Sequence, residues 1–173
     1  MSNESVAPDV QALLDKQAIT EVLHRYCRGI DRADRATLAS AYWPDAYEEH
    51  ASEYNGPVAG FFDYAMKAVA RMHTAHRLSN ILIDVVSPTR AVAESYVWAY
   101  HSVPPELGEY DLIAGGRYLD KLEKRGGEWR ILHRDLMIDF IQKHRSETDL
   151  GVFGALEISG RHFPEDRLYT QLK

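Results

Sequence analysis

Apolar residues recur every three or four positions over residues 10–30, a spacing typical of an amphipathic helix with one packed face. Two further helices are predicted over Arg35–Tyr42 and Val58–Met72. The first of these is expected to end before Pro44, because a residue that precedes proline disfavours the helical conformation. The intervening stretch, residues 45–54, indicates a short strand or an irregular edge.

After residue 75 the chain becomes rich in β-branched and aromatic residues, which favour strands. Gly126 and Gly127 predict a tight hairpin turn, and the pair Gly115–Gly116 predicts a bulge within a strand. Three helices followed by an antiparallel meander predict an α+β fold, in which a curled antiparallel sheet wraps around the three N-terminal helices. The predicted strands cover residues 76–86, 90–102, 111–124 and 128–142.

Composition and charge narrow the possible partners. The chain has 173 residues, 45% of them apolar, which indicates one domain. We predict this domain at residues 9–142, after a flexible N-terminus at residues 1–8 and before a C-terminal arm or lid at residues 143–173. A net charge of −6 without a basic cluster argues against nucleic-acid and anionic-membrane partners. With no visible signal peptide, no apolar run long enough to span a bilayer and a single cysteine, we expect a cytoplasmic protein.

Two short segments carry the candidate chemistry: YCRGID, residues 26–31, and HTAHRLSN, residues 73–80. If the fold brings them together, Asp31 would orient His76 as a general base, and Tyr26 could donate or receive the second proton. Tyr26 and Asp31 lie about 140° apart on an ideal helix, so they face one cavity only if the helix ends or bends near Gly29. Otherwise Asp31 would be a capping or turn residue and Tyr26 a core tyrosine.

Further residues are candidates for the walls of such a cavity. Three of them flank the predicted edge region and could equally serve in packing: Tyr42, His50 and Tyr54. Asn80 follows His76 by four residues, hence on the same strand face, where it could hydrogen-bond a substrate oxygen. Arg134 and the adjacent His133 point to opposite faces of the last strand, so only one of them can face inward.

The sequence gives little support for a metal or nucleotide site. His73 and His76 have a spacing that suits metal ligands on a continuous helix, but the predicted change from helix to strand between them breaks that geometry. No glycine-rich phosphate loop precedes a helix, and no nucleophile elbow is present. We therefore expect neither a metal nor a cofactor.

Taken together, these motifs resemble the SnoaL-like branch of the nuclear transport factor 2-like superfamily. The resemblance covers roughly residues 8–142 and rests on RYCRGIDRAD in the first helix, YWPDA after the second, AHRLSN at the first long strand and GGRYLDKLEKRGGEWRI at the hairpin. It implies a cone-shaped α+β barrel that surrounds a cavity.

Within that superfamily the chain is similar to the bile-acid dehydratases, to hexachlorocyclohexane dehydrochlorinase and, more distantly, to scytalone dehydratase. The resemblance implies that Asp31 pairs with His76 and that Tyr26 is catalytic. It also favours Arg134 as the cavity-facing basic residue of the last strand. The lysine that the dehydrochlorinase carries at the position of Tyr26 is absent, which argues against dehydrohalogenation.

The predicted function is that of a cofactor-independent lyase, above all a dehydratase, acting on a hydrophobic hydroxylated compound of aromatic, polyketide or steroid type. Retro-aldol cleavage releasing a small aldehyde such as formaldehyde, or isomerisation, would need the same base. The alternative is a non-catalytic binding module or oxygenase small subunit, which would not need an Asp–His pair. We also expect a homo-oligomer, a dimer or trimer, with Trp98 and Tyr100 as candidates for the contact.

Overall fold

The computed structural model describes residues 7–146 and 160–171, with helices mainly before residue 70 and long strands from residue 73 to residue 145. These elements confirm the predicted α+β class. In chain order they are α1 (Pro8–Asp31), α2 (Arg35–Ser40), β1 (Tyr42–His50), β2 (Tyr54–Pro57), α3 (Val58–Val69), β3 (His73–Ser87), β4 (Arg90–Val103), a 3₁₀ turn (Pro105–Leu107), β5 (Tyr110–Arg125), β6 (Glu128–Arg145) and α4 (Leu168–Gln171).

The six strands form one curled sheet in the order β2–β1–β6–β5–β4–β3. Neighbouring strands are antiparallel, except that β1 and β6 run parallel. The sheet stays open, because the edge strands β2 and β3 do not pair with each other. The predicted meander is therefore confirmed, whereas the parallel pair depends on a long-range contact that local patterns do not indicate.

The apolar core lies between the helices and the concave face of the sheet. Its fully or almost fully buried side chains include Ile19 and Leu23 of α1, Phe61 of α3 and Ile131 of β6. Asp15 of α1 accepts hydrogen bonds from Trp129 Nε1 and Lys124 Nζ, both at 2.8 Å. These two contacts join α1 to the β5–β6 hairpin and hold the helix across the sheet.

The helix α1 continues through Gly29 and ends at Asp31. A Cβ atom at Gly29 would lie 2.5 Å from the backbone nitrogen of Leu38, so the close approach of α2 requires a glycine here. Asp34 caps α2 by accepting a hydrogen bond from the amide of Thr37 at 3.0 Å. Gly29 is therefore a packing position inside α1, and the turn that follows the helix begins only after Asp31.

The second helix is shorter than predicted, because it ends at Ser40 and Tyr42 already begins β1. Pro44 lies inside β1, in a stretch where the register against β6 shifts. Since proline has no N–H to donate to a neighbouring strand, it interrupts the ladder at this point instead of ending a helix.

Register shifts interrupt the long strands, and two of them bear on the predictions. The register of β5 against β6 shifts at the pair Gly115–Gly116, as predicted, and a Cβ at Gly115 would meet the ring of Phe140 at 2.3 Å. The register of β3 against β4 shifts after Ser79, where Asn80 adopts a left-handed φ of 47°. This second bulge breaks the alternation of side chains that the sequence analysis assumed between His76 and Asn80.

The described C-terminal segment, residues 160–171, packs beside the end of α1 and the beginning of β3. The amide of Phe163 donates a hydrogen bond to the carbonyl of Arg32 at 2.7 Å. The Nε2 atom of His162 lies 3.1 Å from the carbonyl oxygen of Met72. The distal part of the tail therefore contacts the same end of the molecule as Asp31.

The predicted limits of the domain near residues 9 and 142 are not tested by the structure and stay predictions. Residues 1–6, most of the predicted flexible N-terminus, lie outside the described residues, as do residues 147–159, most of the apolar part of the predicted arm or lid. Within the two described ranges, no helix combines the length and the apolar character that a membrane crossing requires.

The convex face of the sheet carries the two aromatic residues predicted for a subunit contact. Trp98 keeps 36% of its surface exposed, and the guanidinium of Arg77 lies 5.1 Å from its ring. Tyr100 is half-buried and donates a hydrogen bond to Asp111 Oδ1 at 2.9 Å. Their role in a homo-oligomer stays a prediction.

Candidate active site

Asp31 and His76 meet where the end of α1 reaches β3. The Nδ1 atom of His76 lies 2.7 Å from Oδ1 of Asp31, and the backbone amide of His76 donates to Oδ2 at 2.9 Å. The hydroxyl of Thr74 donates to Oδ1 at 2.8 Å. The carboxylate is thus held by three groups of one strand, and it holds the imidazole in return.

Burial and hydrogen bonding shift the pKa of the Asp31 carboxyl in opposite directions, and the hydrogen bonds have the larger combined effect. Burial raises the pKa of Asp31, but the hydrogen bonds and charge of His76, together with the hydroxyl of Thr74, bring it below its ordinary value. Asp31 is therefore ionised at neutral pH and accepts the Nδ1–H of His76. This selects the tautomer in which Nε2 of His76 carries a free lone pair.

Two adjoining cavities, of about 270 Å³ and 140 Å³, lie on the concave side of the sheet. Four residues line both cavities: His50, Tyr64, His76 and His101. The rest of the lining is mainly apolar and includes Ala99, Leu136 and Ile141 in the larger cavity and Ile30, Phe61 and Met72 in the smaller. A third hollow, of about 390 Å³, lies on the convex face, and neither Asp31 nor His76 lines it.

His101 is a third histidine of this cavity pair. Its ring stands edge-on to that of His76, with 5.4 Å between the ring centroids. Burial, and next the proximity of His76, lower the pKa of His101 to about 4, so the ring is neutral at pH 7. Its buried Nδ1 has no hydrogen-bond partner among the described residues. A neutral imidazole can serve a bound oxygen as donor or acceptor, depending on its tautomer.

Tyr26 lines the smaller cavity with only 1% of its surface exposed. The guanidinium of Arg134 lies 4.0 Å from the ring centroids of both Tyr26 and Tyr118, whose rings meet edge-on with 5.4 Å between their centroids. Burial, and then the neighbouring Tyr118, raise the pKa of Tyr26 well above that of a free tyrosine. Tyr26 is thus suited to donate a hydrogen bond but poorly suited to lose its proton.

Despite the 140° between them on the helix, Tyr26 and Asp31 both adjoin the cavity region, by different routes. Tyr26 faces the cavity directly, whereas Asp31 approaches His76 from behind and is not itself a lining residue. The predicted convergence of Tyr26, Asp31 and His76 therefore occurs without a bend at Gly29.

Arg134 points inward, as predicted, but stops short of the cavity. It is fully buried, and its Nε and Nη2 donate to the carboxylate of Asp120 at 2.7 and 2.8 Å. The expectation that Arg134 binds substrate is corrected accordingly: it supports the aromatic wall from behind. His133 faces outward and pairs with Glu49 at 2.8 Å.

Of the three predicted wall residues around the edge region, His50 alone lines the cavities. Tyr42 is buried and donates a hydrogen bond to Oε2 of Glu48 at 2.8 Å. The hydroxyl of Tyr54 is directed to the carbonyl of Pro57 at 2.6 Å. Tyr42 and Tyr54 therefore serve internal packing and do not reach a substrate, which corrects that expectation.

Asn80 also lies away from the site. It is exposed on the bulge of β3 and lines neither cavity. The four-residue spacing from His76 would keep both side chains on one face only in a regular strand, and the left-handed backbone at Asn80 removes that regularity.

Several residues of the site were absent from the predicted set, among them Thr74, Glu48 and His101. Thr74 lies two positions before His76, and Glu48 lies two positions before His50, so each pair shares one strand face. This two-residue spacing is visible in the sequence. His101 is the cross-strand neighbour of Thr74. Finding it requires the register of β3 against β4, which the local sequence does not give.

The predicted change from helix to strand between His73 and His76 does not occur. Both residues lie in β3, where a separation of three positions turns their side chains to opposite faces. In the described ranges, no group of three or more histidine, cysteine, aspartate or glutamate side chains is arranged to hold a metal ion.

Known proteins resemble this chain in sequence or in fold. A curated relative, terrestric acid biosynthesis cluster protein E of Penicillium crustosum, is 29% identical over 152 residues, which cover 83% of this chain and 92% of the relative. Among solved structures, a putative scytalone dehydratase from Novosphingobium aromaticivorans matches with a TM-score of 0.69 and 25% identity, covering 79% of this chain and 91% of that one.

A hexachlorocyclohexane dehydrochlorinase from Novosphingobium barchaimii matches with a TM-score of 0.67 and 22% identity, over 78% of this chain and 93% of that one, a likeness that concerns the fold. The family model described as the SnoaL-like domain matches residues 11–135. This span runs from α1 into β6 and includes Tyr26, Asp31 and His76. The chain therefore belongs to the SnoaL-like domain family.

Proposed function

We propose that this protein is a cofactor-independent lyase of the dehydratase type, which removes water from a hydrophobic hydroxylated small molecule. The observation that carries the proposal is the Asp31–His76 pair at the wall of a mainly apolar cavity. A carboxylate-held imidazole is a general base near neutral pH, and proton transfer by such a group accelerates a reaction by about 10²- to 10⁴-fold.

In the proposed reaction, Nε2 of His76 removes a proton from the carbon next to a carbonyl group. The electron pair of that C–H bond becomes the new carbon–carbon double bond, and the bond to the hydroxyl group on the next carbon breaks. Asp31 stabilises the imidazolium that forms, as the aspartate does in the Ser-His-Asp arrangement. Tyr26 donates a hydrogen bond to the carbonyl oxygen while negative charge develops there.

The cavities favour a neutral and largely apolar substrate. Among their described lining residues there is neither a lysine nor an arginine, so a carboxylate or phosphate group would find no permanently charged cationic partner. Together, the volumes of about 270 and 140 Å³ suit a compound of about one to four rings. Aromatic, polyketide and steroid-like hydroxy ketones meet these requirements.

The comparisons support a small-molecule substrate and an elimination. The curated relative is named for the biosynthesis cluster of terrestric acid, and the two solved structures are named as a putative dehydratase and a dehydrochlorinase. An elimination begins in each case with a proton and a leaving group on neighbouring carbons. The absence of a lysine at the position of Tyr26 favours water over halide as the leaving group here.

The test is to incubate chelator-treated protein with hydroxy ketones of one ring, two fused rings and a steroid nucleus, including 3-hydroxy-1-indanone, and to follow them by mass spectrometry. Loss of one water molecule supports the dehydratase, and loss of formaldehyde from a probe with a hydroxymethyl group next to its ketone would instead identify retro-aldol cleavage. Retro-aldol cleavage of a cyclic probe such as 3-hydroxy-1-indanone opens the ring without a change in mass, so a product of unchanged mass but altered retention is assigned to retro-aldol cleavage when it carries a new aldehyde and to isomerisation when it does not.

The matched variants are His76→Ala and His133→Ala. Both remove a histidine that is paired with a carboxylate, but His133 lies on the convex face beside Glu49. We expect His76→Ala to abolish turnover and His133→Ala to retain it. A folded His76→Ala protein with full activity would refute the proposal, and a stable complex with a larger partner chain would support the oxygenase small-subunit alternative.

A further inference from the structure

A second carboxylate–histidine pair faces the same cavities. Glu48 is completely buried, and its Oε1 lies 3.0 Å from Nδ1 of His50. Its Oε2 accepts the hydrogen bond of Tyr42 at 2.8 Å. Both oxygens of Glu48 are therefore engaged, which fixes the carboxylate and, through it, the ring of His50. Nε2 is the ring nitrogen of His50 that remains for a ligand.

The ring of His50 is also fixed by packing. Its centroid lies 5.1 Å from that of Phe61 and 6.4 Å from that of Tyr64, both on α3. The side chain of His50 keeps 21% of its surface exposed, compared with 7% for His76. His50 thus combines a defined orientation with access to solvent, from which it can regain a proton.

The two pairs reach the cavities from different parts of the sheet. His50 ends β1 and His76 lies near the beginning of β3, and the strands β6, β5 and β4 separate β1 from β3. Both histidines nevertheless line both cavities. A substrate bound there would have a carboxylate-held imidazole on either side.

The proposed elimination needs an acid as well as a base. Hydroxide is a poor leaving group, so the oxygen has to receive a proton as its bond to carbon breaks. His76 is occupied with the carbon-bound proton at that moment, and the buried Tyr26 retains its own. The chemistry therefore calls for a second proton-transfer group.

We propose that His50, oriented by Glu48, is the general acid that protonates the departing hydroxyl group while His76 removes the carbon-bound proton. This assignment rests on the proposed function. The C–O electron pair leaves with the oxygen, which takes a proton from Nε2 of His50 and departs as water. His50 ends neutral and His76 protonated, and exchange with solvent restores both. Glu48 is a positioning residue in this scheme, because it acts through His50.

The experiment compares two leaving groups. 3-Hydroxy-1-indanone needs an acid to lose water, whereas acetate leaves 3-acetoxy-1-indanone without a proton. Relative to wild type, His50→Gln is expected to lose water from the hydroxy compound about 10²- to 10³-fold more slowly but to eliminate acetate within about threefold of the wild-type rate, after subtraction of the uncatalysed rate. The retained acetate elimination shows that the variant is folded.

Glu48→Gln tests the positioning role in the same assay. We expect the same preference for the acetoxy compound, at a smaller loss of roughly 10- to 100-fold with the hydroxy compound. The controls are His133→Gln and Glu49→Gln, which alter the His133–Glu49 pair on the convex face and should change neither rate. Glu49 is the direct neighbour of Glu48 in β1, so the controls carry the same chemical changes in the same strand.

The possible failures are distinguishable. If wild type eliminates water and His50→Gln does so equally fast, or if His50→Gln loses both activities to the same extent, the assignment of His50 is overturned while the proposed function stands. If wild type eliminates neither water nor acetate from the indanones and leaves the whole substrate panel unchanged, the proposed function and this assignment fall together.

Discussion

Asp31 holds His76 at two points, because one carboxylate oxygen contacts the ring at 2.7 Å and the other accepts the backbone amide at 2.9 Å. The carboxylate therefore fixes both the imidazole and the strand that carries it. A substitution that keeps the shape of Asp31 but removes its charge should separate the structural from the chemical role of this contact.

Asp31→Asn is the corresponding variant. An amide can retain a contact with the amide of His76, but it cannot stabilise an imidazolium, and it can hold the ring in the wrong tautomer. We expect kcat to fall roughly 10²- to 10⁴-fold with little change in KM. The matched control is Asp63→Asn, which alters an exposed aspartate paired with Arg35 and should leave kcat unchanged. Equal kcat values for Asp31→Asn and wild type would contradict the proposed mechanism.

Tyr26→Phe removes a single hydroxyl while it keeps the ring that packs on Arg134. If Tyr26 donates a hydrogen bond to the developing oxyanion, kcat should fall about 10²-fold, with a far smaller change in KM. Steady-state kinetics and circular dichroism of the variant test this expectation. A rise of KM by about 10²-fold with unchanged kcat would show that the hydroxyl binds the substrate without favouring the transition state.

His101 should make stability depend on pH. Its pKa of about 4 in the folded protein lies below the 6.5 of an ordinary histidine, so the unfolded chain binds the proton more readily. The contribution of neutral His101 is therefore complete above about pH 6.5 and is lost as the pH falls towards about 4. Across that interval we expect a loss of roughly 2 to 3 kcal/mol in the free energy of unfolding.

His101→Gln, measured by urea unfolding at several pH values, provides the check. The variant lacks the titrating ring, so its free energy of unfolding should fall less than that of wild type between about pH 6.5 and 4. His73→Gln is the control, because His73 is exposed. Parallel pH profiles for wild type and His101→Gln would rule out this origin of the pH dependence.

Removal of the carboxylate from the buried pair Asp120–Arg134 should lower the free energy of unfolding far more than removal of the carboxylate from a surface pair. Asp120→Ala leaves a fully buried guanidinium without its carboxylate, which typically costs about 3 to 5 kcal/mol. Asp63→Ala removes the exposed partner of Arg35 at 2.6 Å and should cost less than about 1 kcal/mol. Urea unfolding of both variants compares them directly, and similar losses would contradict the assigned role of Arg134 behind the aromatic wall.

Much of this architecture follows from local sequence. The period of the apolar residues locates α1 and the long strands, and the two glycines at positions 115 and 116 mark the bulge because a Cβ there would collide with β6. The segments around Tyr26, Asp31 and His76 are recognisable as motifs, and the fold does bring them together.

The remainder depends on contacts between residues far apart in the chain. The packing of β5 against β6 decides whether Arg134 contacts a substrate or Asp120. A bulge that has no sequence signal of its own decides whether Asn80 faces the cavity. His101 joins the site only through the register of β3 against β4, and His50 only because β1 pairs in parallel with β6. The sequence by itself determined most of the elements, since these follow from periodicity, and it indicated Asp31 and His76 as candidates through their residue types and the family resemblance. Tertiary structure alone decided which other side chains share the cavity, because small shifts of register and single bulges change the face to which a side chain points.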